Sequence, residues 1–144
     1  MSELLIRNSS IGFIKSIIFD KDGTLTNSEK ELSFLAKERI KKATYFLKSI
    51  NNKNIDLEEV ELLLSQAYGI ENGLIKPDGM IAIASRENNI ISTATILCLF
   101  GLNWPDALEI TKIIFSQVDQ LEQNISNKRP LIKGAKEILF NLKE

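Results

Sequence analysis

The sequence predicts an α/β protein in which one short buried strand precedes a long helical region. Residues 15–19 (Lys-Ser-Ile-Ile-Phe) form a β-branched and aromatic run that stops at an acidic turn containing glycine, which is typical of a buried strand. From residue 28 onward the apolar residues recur at helical spacing. With 144 residues, of which 44% are hydrophobic and 26% charged, the chain is able to form an ordinary core without disulfides or structural metal.

The other elements follow from local signals in chain order. Residues 4–6 and 11–13 are apolar and predict a short strand pair ahead of the main strand. Capping residues and helical periodicity predict five helices, over about 28–50, 56–68, 85–100, 103–121 and within 130–142. Residues 77–79 (Pro-Asp-Gly) predict a turn, and residues 124–129 a polar linker. The main strand has no evident partner in this pattern, although its backbone N–H and C=O groups need one.

Composition excludes several classes of function. The formal charge of −1 gives no electrostatic reason to expect nucleic acid or an anionic membrane surface as a partner. The chain has no His and a single cysteine, Cys98, which excludes imidazole chemistry and an internal disulfide. The N-terminus lacks a signal-peptide pattern, and no apolar run is long enough to span a bilayer. We therefore expect a cytoplasmic protein with no membrane partner.

Residues 17–26 (Ile-Ile-Phe-Asp-Lys-Asp-Gly-Thr-Leu-Thr) are the segment with specific chemical content. Asp20 and Asp22 lie two residues apart at the carboxyl end of the predicted strand, so both carboxylates can project into one crevice. Gly23 allows a sharp turn and leaves backbone N–H groups free to face an anion. Such a site suits Mg²⁺, which takes few carboxylates and completes its octahedron with waters and phosphate oxygens.

This segment resembles the first motif of the haloacid dehalogenase-like (HAD) hydrolase superfamily, an apolar strand followed by Asp-x-Asp-Gly-Thr-Leu/Val. The resemblance implies that Asp20 is the nucleophile that forms an aspartyl-phosphate and that Asp22 is the general acid and base. It also implies that one Asp20 oxygen and the Asp22 carbonyl ligate Mg²⁺, while Gly23 and Thr24 bind the substrate's phosphoryl group and Thr24 supports the loop. An Asp at position 22 is typical of the phosphatases and phosphomutases of this superfamily.

The remainder of the chain resembles an inserted helical cap followed by the return of the chain to the core. The resemblance implies three parts: the start of a Rossmann-like core over 1–27, a helical cap over 28–126, and the first helix of the return over 127–144. Residues 27–28 (Asn-Ser) are similar to the cap entry of the phosphoglycolate phosphatase and β-phosphoglucomutase groups. Residues 130–134 (Pro-x-x-x-Gly) are similar to the return segment.

The family completes its site with a Ser or Thr, then a Lys or Arg, and then an acidic pair. None of these follows residues 130–142 in the chain. We therefore expect an N-terminal fragment without the C-terminal part of the core, which is inactive or very weakly active alone. The expected partner is the C-terminal remainder of the same enzyme.

Basic residues of the predicted cap have two interpretations. Arg86 follows the turn at 77–79 and is predicted either to bind the non-reacting end of the substrate or to sit at a solvated helix N-terminus. The basic run within residues 37–42 predicts a solvated helix face, with Glu38 and Lys42 forming an i,i+4 ion pair.

Alternative interpretations of the motifs stay open. The acidic loop has the spacing of EF-hand calcium ligands, but Leu25 stands where that loop needs Gly. An Asp-x-Asp after a strand also occurs in sugar-nucleotide glycosyltransferases, which need a much larger chain. A competing alignment makes residues 80–85, an apolar run ending in Ser, the second HAD motif, and Lys128 the third.

The sequence thus predicts a Mg²⁺-dependent HAD-like phosphatase that acts on a small phosphorylated metabolite through an aspartyl-phosphate. The alternative is a degenerate, non-catalytic member that binds a partner or a phosphorylated ligand through its helices. Retention of both Asp20 and Asp22 argues against this alternative, because a binding module has little use for a nucleophile.

Overall fold

The computed structural model of the chain describes residues 2–50, 55–125 and 130–142. Contacts divide the chain into two compact units. The terminal unit consists of residues 1–27 and 130–144, and the helical unit of residues 28–129. The described residues form four strands and six helices: β1 (Ser2–Ile6), β2 (Ser9–Ile14), α1 (Glu29–Ile50), α2 (Leu57–Tyr68), β3 (Ile70–Glu71), β4 (Leu74–Ile75), α3 (Met80–Ile83), α4 (Arg86–Leu99), α5 (Trp104–Ile125) and α6 (Ala135–Asn141).

The helices predicted from the sequence are confirmed, and their ends follow the capping residues. The Asp56 carboxylate accepts the N–H groups of Glu58 and Glu59, at 3.0 and 3.2 Å, and so starts α2. The Ser85 hydroxyl accepts the N–H of Asn88 at 3.1 Å and starts α4 in the same way. These side chains satisfy backbone donors that have no partner within the helix.

Gly69 ends α2 and brings two segments of the helical unit together. Its φ of +77° is the left-handed conformation that glycine adopts without strain. A Cβ at Gly69 would overlap Cα of Gly79, which belongs to the confirmed turn at 77–79. The strands β3 and β4 form the antiparallel hairpin between these two glycines. Both the backbone conformation and the close packing therefore require glycine at position 69.

The core of the helical unit lies where α5 packs against α1 and α4, and where α2 packs against α1 and α4. The buried residues of this core have apolar or short polar side chains, and they recur every three or four residues along each helix. The largest side chains that are completely buried are Tyr68, Phe115, Leu47, Leu64, Leu97, Val60 and Val118. Burial of each such side chain contributes on the order of 1.5–3 kcal/mol, which is what holds these helices together.

Tyr68 is a fully buried polar residue of this core. Its hydroxyl lies 2.7 Å from the Thr93 hydroxyl, which in turn donates to the Asn89 carbonyl at 2.8 Å. Because Thr93 uses its single proton on Asn89, the Tyr68 hydroxyl is the donor of the bond between them. Burial raises the pKa of Tyr68 from 10.0 to about 12, because the tyrosinate would lose its hydration.

The raised pKa of Tyr68 predicts loss of stability in alkali. The unfolded chain releases this proton near pH 10, whereas the folded chain keeps it until about pH 12. The Tyr68 contribution is therefore complete below pH 10 and decreases between these values. From pH 9 to pH 11 we expect the free energy of unfolding to fall by about 1 kcal/mol more in the parent chain than in Tyr68→Phe, as measured by urea unfolding. Equal decreases in the two chains would contradict this assignment.

The terminal unit contains a hairpin, a loop and a short helix. The strands β1 and β2 pair antiparallel around Arg7 and Asn8, both at positive φ, which confirms the predicted strand pair. The end of the acidic loop is hydrogen-bonded to the segment that precedes α6. The Asn27 N–H donates to the Pro130 carbonyl at 3.0 Å. A second bond joins the same segments, from Ile132 N–H to the Leu25 carbonyl at 2.9 Å. These bonds connect residues far apart in the chain and hold the loop against the return segment.

The prediction of a strand over residues 15–19 is wrong. In the structure this segment has no regular secondary structure, and Ile18 is 94% exposed. Strands need partners for their backbone groups, and the part of the chain that the structure describes offers none to this segment. Only a mixture of helices and strands is therefore confirmed, with two small antiparallel sheets among the described residues, and the α/β arrangement with a Rossmann-like core stays a prediction.

The competing alignment that made residues 80–85 the strand of a second HAD motif is also wrong. Residues Met80–Ile83 form the helix α3, and the Ala84 N–H donates to the Met80 carbonyl at 2.9 Å. The helix buries Ile81 and leaves Ile83 72% exposed. Lys128, the third motif of that alignment, lies outside the described residues, as do residues 126–129 of the predicted linker. The prediction of a linker is wrong for residues 124 and 125, which belong to α5.

Candidate functional site

The loop over residues 20–26 closes on itself through its backbone. The carbonyl of Lys21 accepts the N–H groups of Leu25 and Thr26, both at 2.9 Å, and the Thr26 hydroxyl at 3.2 Å. In return the Gly23 N–H donates to the Thr26 carbonyl at 2.9 Å. Since four bonds join Lys21 and Gly23 to the end of the loop, the sequence specifies a tight turn that is largely independent of the preceding segment.

Gly23 and Thr24 form the tip of this loop. Gly23 has a φ of +81°, which L-residues with a side chain rarely adopt. No other atom lies within 4 Å of the position that a Cβ on Gly23 would take, so glycine is needed for conformation and not for space. Thr24 is exposed, which leaves the tip of the loop accessible to a ligand.

The two carboxylates of the loop are accessible to solvent, and one of them is oriented by a buried threonine. The single proton of the Thr26 hydroxyl is shared between the Lys21 carbonyl, at 3.2 Å, and an Asp22 carboxylate oxygen, at 3.3 Å, and the Asp22 side chain is 56% exposed. The Lys21 ammonium is 3.9 Å from the same Asp22 oxygen, a pair worth little at the surface. Asp20 is exposed as well. The loop thus presents two carboxylates to solvent, with Asp22 held from behind by Thr26.

The donor set of the loop fits the protein's share of a Mg²⁺ site. Asp20 and Asp22 provide hard oxygen ligands two residues apart, and Mg²⁺ commonly takes only one or two carboxylates beside waters and phosphate oxygens. Within the described ranges, no group of three or more Asp, Glu or Cys side chains is placed to hold a metal ion. The loop therefore offers a site that needs further ligands, either from a phosphorylated substrate or from other protein segments.

Arg86, the predicted substrate-binding residue, is the first residue of α4 and makes an ion pair. Its Nε and Nη2 lie 2.8 and 2.7 Å from Oδ2 of Asp119 on α5. The side chain is still 51% exposed. Arg86 therefore lies at a partly solvated helix N-terminus, where it is in addition paired with Asp119, and a role in binding substrate stays a prediction.

The prediction that the basic run of α1 forms a solvated helix face is wrong for Arg39. Its side chain is buried, its Nη2 donates to Oδ1 of Asp119 at 3.1 Å, and its guanidinium carbon lies 3.9 Å from the centre of the Phe115 ring. The predicted Glu38–Lys42 pair is also wrong, since the Glu38 carboxylate pairs with Lys41 at 3.9 Å, while the Lys42 ammonium donates to the Gln117 amide oxygen at 3.0 Å. The helix α5 supplies these partners, so α1 turns part of its basic face inward.

Two residues that sequence reasoning did not assign take part in these arrangements. Thr26 ended the quoted motif, but the hydrogen bond to Asp22 depends on the closure of the loop. Asp119 binds both Arg39 and Arg86, and it follows Val118 beside the apolar face of α5. The sequence does carry a signal for Asp119, because it places a carboxylate at the margin of the apolar face of α5. A carboxylate in such a position is favoured to pair with a partly buried cation.

Comparison with known proteins finds no relative. No family model, curated protein or solved structure matches the chain. Separately, none of the helices in the described ranges has the length and apolar character needed to cross a membrane. The resemblance to HAD hydrolases therefore depends on the motif around Asp20 and stays a prediction.

Proposed function

We propose that this chain carries the nucleophile and the general acid and base of a Mg²⁺-dependent phosphatase of the HAD type, acting on a small phosphorylated metabolite. The observation that supports the proposal is the closed loop over residues 20–26. In this loop Asp22 is hydrogen-bonded to Thr26 while its carboxylate faces solvent. The division of the chain at residues 27/28 and 129/130 supports the further idea that the helical unit is an inserted cap.

In the first step Asp20 attacks the substrate. A carboxylate oxygen of Asp20 forms a bond to phosphorus, and the bond from phosphorus to the alcohol oxygen breaks. Asp22 in its protonated form gives its proton to the departing alcohol. Bound Mg²⁺, held by Asp20 and the Asp22 carbonyl, would neutralise the phosphoryl charge that otherwise repels the nucleophile.

In the second step water releases the phosphoryl group. Asp22, now a carboxylate, removes a proton from a water molecule as that water attacks the phosphorus. The bond from phosphorus to Asp20 breaks, and inorganic phosphate leaves. The hydrogen bond from Thr26 to Asp22 orients the carboxylate for both proton transfers, because it restricts rotation of the Asp22 side chain.

Further strands would complete the site. In the described structure residues 15–19 lack regular structure before the loop, and Ile18 is almost fully exposed. A sheet that paired with this segment would bury Ile18 and fix the position of Asp20. We propose that the C-terminal remainder of the same enzyme supplies this sheet together with a cationic side chain. The loss of one such electrostatic group alone costs on the order of 10²–10³-fold in rate, so the chain by itself should be very weakly active.

A second candidate is a non-catalytic protein that binds a phosphorylated ligand or a partner. The observation that favours it is the exposure of Thr24 at the tip of the loop, which leaves the tip accessible to a ligand. Under this hypothesis the loop would bind an anion through the exposed Thr24 hydroxyl, because the Gly23 N–H is already donated to the Thr26 carbonyl. The two candidates differ in whether Asp20 becomes covalently modified.

The experiment that tests the proposal uses acetyl phosphate that is radiolabelled on its phosphorus. This phosphoryl donor is reactive, because its leaving group, acetate, needs little protonation by a general acid. We expect the full chain to acquire a weak label that requires Mg²⁺ and is released by hydroxylamine, as an acyl phosphate is. Asp20→Asn should abolish the label, because the amide is a poor nucleophile. Asp78→Asn serves as a matched control, since Asp78 is an exposed acid in the turn of the helical unit.

Two results would contradict the proposal. Equal labelling of the parent chain and Asp20→Asn would mean that phosphorylation is unspecific. A complete absence of label, with inorganic phosphate nevertheless bound, would favour the non-catalytic candidate.

A further inference from the structure

An open cleft of 580 Å³ lies on the surface of the helical unit, between α4 and α5. Its lining has an apolar part, which includes Ile90, Trp104 and Leu108, and a charged part, with Arg86, Lys112 and Glu87. The volume falls within the range of small-molecule sites, which are about 300–1,000 Å³ and are mainly apolar with a few polar groups. No residue of the loop at 20–26 lines the cleft.

The spacing of the lining residues explains why the cleft has a continuous apolar floor. Trp104, Leu108 and Lys112 are four residues apart along one face of α5, and Arg86 and Ile90 are four apart on α4. Ile90 is 5% exposed and belongs to the core, whereas the Trp104 side chain is 45% exposed. The floor is therefore fixed by core packing, and the indole offers a flat face to anything that enters.

The cations of the cleft exceed the carboxylates that face them. Lys112 makes no ion pair with any residue that the structure describes. Arg86 shares the single Asp119 carboxylate with the buried Arg39, so this group of three retains one positive charge. Glu87 supplies one opposing carboxylate at the rim. The wall beside Trp104 is thus positive on balance and would attract an anion.

We propose that this cleft binds a small organic anion that combines a planar apolar ring with one carboxylate, sulfonate or phosphate group. The ring would stack on Trp104 over the Ile90 and Leu108 floor, while Lys112 pairs with the anionic group. Arg86 contributes as a second, partly neutralised cation. This site does not require the phosphatase proposal, because none of its residues belongs to the loop at 20–26.

The test titrates the full chain with anilinonaphthalene sulfonate, an aromatic ring system with one sulfonate, and follows tryptophan emission. Trp104 is the single tryptophan of the chain, so all tryptophan emission comes from this cleft, and the charge reversals described next locate the bound probe. We expect saturable quenching that weakens with added salt, because the pairing with Lys112 is exposed to solvent. The neutral relative phenylnaphthylamine should bind at least several-fold more weakly.

Matched charge reversals separate this cleft from other apolar surfaces. Lys112→Glu should lower the affinity for the probe by about tenfold, since the attraction between the lysine and the sulfonate becomes a repulsion between two negative charges. Lys37→Glu is the control, because Lys37 is an exposed lysine that lines a different hollow, of 260 Å³, between α1 and α2. The control should change the affinity by less than about twofold. Equal effects of the two reversals, or probe binding without quenching of Trp104, would overturn the proposal.

Discussion

Replacement of Asp22 by asparagine is expected to slow the loss of the phosphoryl group from Asp20 by about 10²–10⁴-fold. Asparagine is nearly the same size as aspartate, and its side-chain carbonyl can still accept the hydrogen bond from Thr26. The loop should therefore keep its shape, while the group that removes a proton from water is lost. Formation of the label from acetyl phosphate should be affected less, because acetate is a good leaving group and needs little protonation.

The measurement is a pulse of radiolabelled acetyl phosphate followed by a chase, with the hydroxylamine-sensitive label counted over time. The control is Thr26→Val, which removes the hydroxyl shared by Asp22 and the Lys21 carbonyl but keeps the Asp22 carboxylate and the three backbone bonds that close the loop. We expect Thr26→Val to slow the loss of label several-fold, well short of the effect of Asp22→Asn. If Asp22→Asn lost its label as fast as the parent chain, Asp22 would not be the base, and the proposed second step would be incorrect.

Replacement of Asp119 by alanine is expected to lower the free energy of unfolding by about 3 kcal/mol. Asp119 is the carboxylate that pairs with the buried guanidinium of Arg39, at 3.1 Å. Without it a charged group that is 7% exposed has no counter-ion, and its Nε already has no hydrogen-bond partner among the described residues. The Phe115 ring would still contact the guanidinium, but a cation–π contact contributes about 0.5–2 kcal/mol and cannot replace the carboxylate.

Urea unfolding followed by circular dichroism measures this loss, with Glu109→Gln on the same helix as the control for removing an exposed acid. We expect the control to change the free energy of unfolding by less than about 0.5 kcal/mol. Arg39→Met should cost less than Asp119→Ala, because it removes the buried charge itself and leaves Asp119 paired with Arg86. A cost of Asp119→Ala no larger than that of the control would mean that Arg39 is solvated in solution, as its sequence context suggested.

The helices could be predicted from the sequence because their signals act within one or two turns. Asp56 caps α2, and Gly69 ends it in the left-handed conformation. The strand pair at 4–6 and 11–13 was predicted from its short apolar runs, and the structure places the turn between them at Arg7 and Asn8. The chemically distinctive loop was also visible, since the turn at Gly23 needs only neighbouring residues to close.

The errors have one physical cause, which is dependence on distant partners. Residues 15–19 have the composition of a buried strand, but composition does not supply the adjacent strand that would accept their hydrogen bonds. Arg39 was assigned to solvent from its basic neighbours, yet its partner Asp119 lies 80 positions away. Met80–Ile83 resembled a strand by apolarity alone, and the helical turn after Gly79 decided otherwise.

The sequence by itself determined the limits of α1, α2 and α4, the two carboxylates of the loop at Asp20 and Asp22, and the exclusion of imidazole and disulfide chemistry. Those properties depend on residue type and on spacings of a few positions. The tertiary structure decided that Thr26 holds Asp22, that Arg39 and Arg86 share Asp119, and that Trp104 and Lys112 line a cleft. Such pairings require the chain to bring separate segments together, and the free energy that selects them comes from burial and charge neutralisation over the whole unit.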